Sequence, residues 1–136
     1  MPLCVDSKLS TRAVLELLRR ENRGCVCLCD GEKLVGIFTE RDALHLMAQG
    51  ADVDVPIETV MTRQPATVLA TDTVEAAIAK MSLGGYRRLP VLDADGRPVG
   101  LLKVSAILHH LVQHFPKFVY NLPPEPGQTH QDREGA

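Results

Sequence analysis

The stretch Gly36-Ile37-Phe38-Thr39-Glu40-Arg41-Asp42 sets a hydroxyl three positions before a carboxylate, where an apolar run gives way to charged residues. If the run is a strand and the charged residues open a helix, Thr39 and Asp42 share that helix's first turn. Two kinds of chemistry follow. Thr39 can accept a backbone N–H while Asp42 returns the bond, the reciprocal capping box. Alternatively, Thr39 can donate to a phosphate beside the free N–H groups, with Asp42 accepting two hydrogen bonds from a vicinal diol such as ribose. The two roles are compatible, because the cap needs one lone pair of the Thr39 oxygen.

The octapeptide GCVCLCDG, residues 24–31, spaces Cys25, Cys27 and Cys29 at every second position. On a strand such side chains point one way, about 6.5–7 Å apart. That is too far for a disulfide, whose Cβ atoms lie about 4 Å apart, and a straight strand cannot wrap three sulfurs around a zinc ion. Cys25 and Cys27 read as small apolar residues on one face. Cys29, at the hairpin edge, is expected to be the most exposed, and Cys4 is the only partner for a pairing.

The other candidates are weaker. Arg63, Arg87 and Arg88 can meet a phosphate or simply lie in solvent. His110 and His114 share a helix face, but His109 points elsewhere and no Glu completes an HExxH pattern. Asp93 and Asp95 in LDADG suit a turn and lack the further oxygen ligands of a hard-cation site. Ser105 is separated from His110 by more than a helical turn, and no nucleophile–base–orienter set can be assembled. The sequence therefore predicts no catalytic residue, no metal site and no required cofactor.

The elements that must position these residues follow from periodicity. Ser10-Thr11 caps a helix with Ala13, Val14, Leu17 and Leu18 on its buried face and Gly24 as its stop. Cys25–Cys29 and Lys33–Phe38 form a hairpin about Asp30-Gly31. A second helix starts after Thr39, and Pro56 opens a short helical turn through Met61. Ala66–Leu69 is a short strand, Thr71 or Asp72 caps a third helix, and Gly84-Gly85 ends it. Leu89–Leu92 and Pro98–Leu102 are strands, and Val104–Val112 is a final helix halted by Pro116.

A shift of 64 positions lays Leu28 on Leu92, Val35 on Val99 and Gly36 on Gly100. Identities are few, but the order helix, strand, turn, strand, helix recurs, an internal repeat of roughly 60 residues. Each unit exposes an apolar sheet face and gains by burying it against its copy. The fold class is α+β (α/β-type), with two pseudo-twofold units packed through their sheets. The first motif spans 1–50, the connection 51–62, the second motif 63–116, and a flexible or surface-docked tail 117–136. Only the second motif is preceded by the segment Ile57–Thr62, which suggests a trimmed chain or one part of a longer protein.

Among 136 residues, 15 Lys and Arg face 17 Asp and Glu, a formal charge of −2. Bulk attraction to nucleic acid or anionic membrane is not expected. No apolar run reaches bilayer length and MPLCVDSK is not a signal peptide, so the expected address is cytoplasmic.

Taken whole, residues 3–112 resemble a tandem pair of CBS domains, the regulatory family named after cystathionine β-synthase. The resemblance rests on the Gly-x-x-Thr-x-x-Asp pattern at Gly36–Asp42, on RRLPVLDADGRPVGLL in the second unit, and on Val60-Met61-Thr62 between them. It implies a disc-like module whose two clefts bind adenosine-containing ligands: AMP, ADP, ATP or S-adenosylmethionine. It further implies that Asp42 holds the ribose, Thr39 its neighbouring group, and Gly24, Cys25 and Val26 the base, with Arg88 toward a phosphate. The second unit departs from the pattern: Lys103 stands for the Thr and Ala106 for the Asp. In the first unit Val26 stands where the second has Pro90. One competent ribose cleft, centred on Asp42, is therefore expected, the other being empty or binding an anion through Lys103. The resemblance also implies a homodimer signalling by population shift, or else a ligand-free module for dimerisation or docking.

Overall fold

The computed structural model describes residues 2–114, except for the side chains at positions 110, 111 and 114. The expected tail at 117–136, the stop at Pro116 and the side chains of His110 and His114 lie outside the described residues.

Among the described residues, seven strands form two sheets. The first contains β1 (Cys4–Asp6), β2 (Cys25–Asp30), β3 (Lys33–Thr39) and β4 (Thr62–Arg63) in that order. The second contains β5 (Val68–Leu69), β6 (Arg88–Leu92) and β7 (Pro98–Lys103). In each, a leading strand runs parallel to the first strand of an antiparallel hairpin. Helices α1 (Thr11–Glu21) and α2 (Glu40–Gln49) belong to the first unit, and α3 (Val74–Gly84) and α4 (Val104–His114) to the second.

Local chemistry explains the boundaries. The Ser10 hydroxyl accepts the Ala13 N–H at 3.2 Å and starts α1. Asn22, not Gly24, ends it, in the left-handed region at φ 52°, where the short amide side chain is tolerated. The buried face narrows to Thr11, Val14 and Leu18. At the third helix the cap is Thr73, whose hydroxyl takes the Ala76 N–H, and not Thr71 or Asp72. Asp72 instead turns back to accept the Leu69 N–H at 2.9 Å.

The caps Ser10 and Thr73 are 63 positions apart, 73 − 10, and the parallel pairs Val5–Leu28 and Val68–Val91 keep that offset. After the hairpin turn, Gly36 and Gly100 are 64 apart, because the second turn is one residue longer. A uniform 64-residue shift is therefore one place out before the turn. The counterpart of Val26 is Leu89, and Pro90 corresponds to Cys27.

That single place corrects the expectation for the cysteines. Cys29 corresponds to Leu92 and not to Asp93, and is buried at 6% exposure. Cys4, on the edge strand β1, is the exposed thiol. All four cysteines are unpaired.

The central strands of the first sheet are dry on both faces. On β2 and β3, Val26, Leu28 and Phe38 point to the helices and pack with Val14, Leu18, Ile57 and Met61. Alternation sends Cys25, Cys27, Ile37 and Thr39 to the opposite face, toward the second sheet. The second unit's core is smaller: Val68, Ala77, Met81, Leu89 and Ile107. The units are tied by Arg88 Nη1 donating to Gly24 O at 3.2 Å and by Leu34 N donating to Gly96 O at 3.1 Å. At the rim Arg97 meets Glu32 at 3.3 Å, an exposed pair that contributes little.

Candidate ligand-binding clefts

Two cavities open where the sheets meet. The first, of about 270 Å³, joins Ile37, Thr39 and Arg41 of the first unit to Tyr86, Arg87 and Arg88 of the second. Thr62, Pro65 and Ala66, at the crossing between the units, close its side. Thr39 reaches it because it ends β3 on the inter-sheet face and starts α2. The capping box is formed: Asp42 N–H donates to Thr39 Oγ1 at 3.3 Å and Thr39 N–H donates to Asp42 Oδ2 at 3.0 Å. The Thr39 hydroxyl donates to the same Oδ2 at 3.2 Å. Oδ1 accepts no hydrogen bond among the described residues. The half-buried carboxylate thus uses Oδ2 to hold the helix start and leaves Oδ1 without a hydrogen bond among the described residues, though Asp42 itself is not in the cavity wall.

Charge in this cavity is divided. Arg41, Arg87 and Arg88 line it, the Arg88 guanidinium being held by Gly24 O on the side of the second cavity, and ten-residue α2 directs its N-terminal dipole toward the Thr39 end. Such a wall favours a phosphate, and the Tyr86 ring offers an aromatic face beside it. Tyr86 also fixes Gly84, since a Cβ there would lie 2.1 Å from the ring.

The second cavity, of about 210 Å³, is lined by Pro2, Arg23, Gly24, Cys25, Arg88, Leu101 and Lys103. It is basic and has no carboxylate in its wall. At the start of α4, Lys103 stands where Thr39 does in the first unit, and Ala106 where Asp42 does.

Residues that the sequence reading grouped together are thus divided. Thr39 lies in the first cavity with Asp42 behind it. Gly24, Cys25 and Lys103 lie in the second, and Arg88 lines both. Val26 is fully buried under α1 and faces neither. Tyr86, Pro65, Ala66, Thr62 and Arg41 were not singled out from sequence. The available signal was the twofold itself, which sets the end of one unit's hairpin against the start of the other's.

The buried thiols are chemically quiet. Burial pushes Cys25 up to about 11 against the opposing pull of Arg88. It does the same for Cys29, also to about 11, and raises Cys27 further. These groups stay protonated in the fold after the unfolded chain, near 9, has begun to ionise. The unfolded state then holds fewer protons, so stability falls as pH rises from about 9 to about 11. Denaturant titrations across that window are expected to show the loss, and a Cys25→Ala, Cys29→Ala variant to show a shallower one. An equal slope in the variant would exclude Cys25 and Cys29 as its cause.

Among the described residues no group of three or more His, Cys, Asp or Glu side chains is arranged to hold a metal ion. No described helix is long and apolar enough to cross a membrane.

A family model described as CBS domain matches residues 1–49 and 57–113. Arabinose 5-phosphate isomerase KdsD of Pseudomonas aeruginosa is 37% identical over 99 residues, covering 72% of this chain and 30% of that enzyme. An uncharacterized 17.7 kDa protein of Acidianus ambivalens is 29% identical over 96 residues, covering 70% of this chain and 58% of the relative. The chain thus spans well under two thirds of the length of either relative. Among solved structures, a CBS domain protein from Pyrobaculum aerophilum complexed with AMP superposes with a TM-score of 0.72 at 30% identity, over 82% of this chain and 92% of that one. The CBS domain pair of protein MJ0100, in complex with 5′-methylthioadenosine and S-adenosyl-L-methionine, gives 0.69 at 30% identity, over 81% and 90%.

Proposed function

This chain belongs to the CBS domain family, and from that premise we propose that it is a non-catalytic regulatory module binding an adenosine-containing ligand in the cleft at Thr39 and Asp42. The observation that carries the reading is the union, in one cavity, of Thr39 with Tyr86, Arg87 and Arg88 from the other unit. The free Asp42 oxygen accepts from a ribose diol. Arg41, with the positive end of α2, takes the phosphates or, for S-adenosylmethionine, its carboxylate, and Tyr86 with Pro65 and Ala66 borders the base. The relatives solved with AMP and with S-adenosyl-L-methionine support this ligand class. The second cleft, with Lys103 for Thr and Ala106 for Asp, lacks the ribose acceptor and suits an anion alone.

Because the cavity is built from both units, a ligand stabilises the placement that closes it, and a partner reads that placement. A tenfold preference of the ligand for one placement moves the balance by about 1.4 kcal/mol. The module acts as a cytoplasmic homodimer, through the exposed Leu44 and Met47 of α2 and Leu108 of α4. A second reading, a ligand-free module for dimerisation or docking, is favoured by Ala106 and by the bonds Asp42 already makes to Thr39.

Calorimetric titration with AMP, ADP, ATP and S-adenosylmethionine separates the two. Saturable one-site binding of at least one of them is expected. Silence with all four sinks the ligand reading and leaves the docking one.

A further inference from the structure

The cysteines are the reactive side chains that the proposed function leaves unused. Strand β1 is three residues long and lies at the edge of the first sheet, with Cys4 exposed. It runs parallel to β2 in a register that sets Cys4 directly beside Cys27 and Asp6 beside Cys29. Both ends of β1 are fastened to β2. Leu3 O accepts the Cys27 N–H at 2.8 Å, and the Ser7 N–H donates to Cys29 O at 2.9 Å. Directly paired residues of neighbouring strands turn their side chains to the same face, so the Cys4 and Cys27 thiols are neighbours. The Cys4 thiol interacts with those of Cys29 and Cys27 and also points to Pro2 O, at 3.7 Å.

We propose that Cys4 and Cys27 form a reversible disulfide on exposure to a hydroperoxide, with Cys4 as the entry thiol and Cys27 as the resolving one. Neighbouring strands lie about 4.7–4.9 Å apart, so the two Cα atoms fall inside the span of about 4.4–6.8 Å that a disulfide accepts. The Cβ atoms must come to about 4 Å, so β1 has to close by somewhat under about 1 Å. A short edge strand, paired on one side alone, can make that movement. Cys25 and Cys29 each stand two residues from Cys27, about 6.5–7 Å along β2, which puts their Cα atoms about 8 Å from that of Cys4 and out of reach. Cys27 is 1% exposed, so it meets its neighbour and not the oxidant. The peroxide transfers one oxygen to the Cys4 sulfur, giving a sulfenic acid and water or an alcohol. The Cys27 sulfur then attacks that sulfur. The S–S bond forms, the S–O bond breaks, and the departing hydroxide leaves with the Cys27 proton as water. Two thiols lose two electrons in all, and the peroxide gains them. Burial pushes the Cys4 thiol above its usual pKa, which makes the first step slow. Pro2 and Cys25, each two residues before a member of the pair, line the second cavity, so the cross-link ties together two segments of its wall.

Treatment of the full 136-residue chain with hydrogen peroxide tests this. The four free thiols should fall to two, and dithiothreitol should restore them. After denaturation in an alkylating reagent and digestion with trypsin, peptides 1–8 and 24–33 should be joined through Cys4 and Cys27, with Cys25 and Cys29 alkylated. Cys29→Ala should form the same link. Cys27→Ala should stop at a Cys4 sulfenic acid, captured by dimedone. If Cys27→Ala fails to fold, the link mapped in the natural chain and in Cys29→Ala decides. Persistence of all four thiols overturns the proposal. So does a link from Cys4 to Cys29, or a link between the Cys4 residues of two copies, seen as a dimer on a non-reducing gel. None of these readouts depends on whether an adenosine ligand binds.

Discussion

Phe38→Ala is expected to lower the unfolding free energy by about 3–5 kcal/mol, the usual cost of deleting a buried aromatic ring. Phe38 has no solvent exposure and sits in a cluster with Val14, Leu18, Val26, Leu28, Ile57 and Met61. Those neighbours come from α1, the hairpin and the crossing segment, so no single element can collapse into the void. Domains of this size are stable by about 5–15 kcal/mol in all, and the variant should melt at least about 10 °C lower. Ile107→Ala is the comparison. Ile107 is nearly as buried, at 8%, but lines the open groove of the second unit, where neighbours can move, and its cost should lie near the low end, about 2 kcal/mol. Denaturant unfolding of both variants checks the order, and an equal or larger loss at Ile107 would contradict it.

Asp42→Ala is expected to weaken binding of the adenosine ligand by about 10- to 100-fold. The estimate rests on losing hydrogen bonds from a ribose diol to a charged acceptor, about 1.5–3 kcal/mol for one such bond. The substitution also removes the partner of the Thr39 N–H and hydroxyl, so α2 loses half of its capping box, at about 1 kcal/mol of stability. The two effects are separable. Asp42→Asn keeps an oxygen for the Thr39 N–H but gives up the charge, so its stability should return toward the natural value while affinity stays reduced. Calorimetry and thermal melting of both variants give the answer. Unchanged affinity in Asp42→Ala would assign the carboxylate to the helix cap alone.

Much of this was readable in advance. The alternation of Cys25, Cys27 and Cys29 identified a strand, because period two is set by backbone pleating and needs no partner. The Thr39–Asp42 box was legible because both of its bonds close within one helical turn. The end of α1 was less so. Both Asn22 and Gly24 can take a left-handed cap, and the choice of Asn22 frees Gly24 to accept the Arg88 guanidinium across the unit boundary. A Cβ at Gly24 would lie 2.9 Å from that guanidinium, a constraint that comes from residue 88 and has no trace near residue 24.

By itself, then, the sequence determined the elements, their repeated order and the pairing of Thr39 with Asp42. Each of these depends on interactions spanning a few residues, whose period or spacing is written along the chain. Only the tertiary structure decided which residues share a cleft. That depends on the face each strand turns to the other sheet and on a one-residue difference between two turns. The same difference moves the counterpart of Cys29 from Asp93 to Leu92 and sets Pro90 against Cys27, while Gly24 and Cys25 line a different cavity from Thr39. A single extra turn residue changes little locally, yet it shifts the correspondence between the two units by one place, and a one-place shift along a strand exchanges its faces.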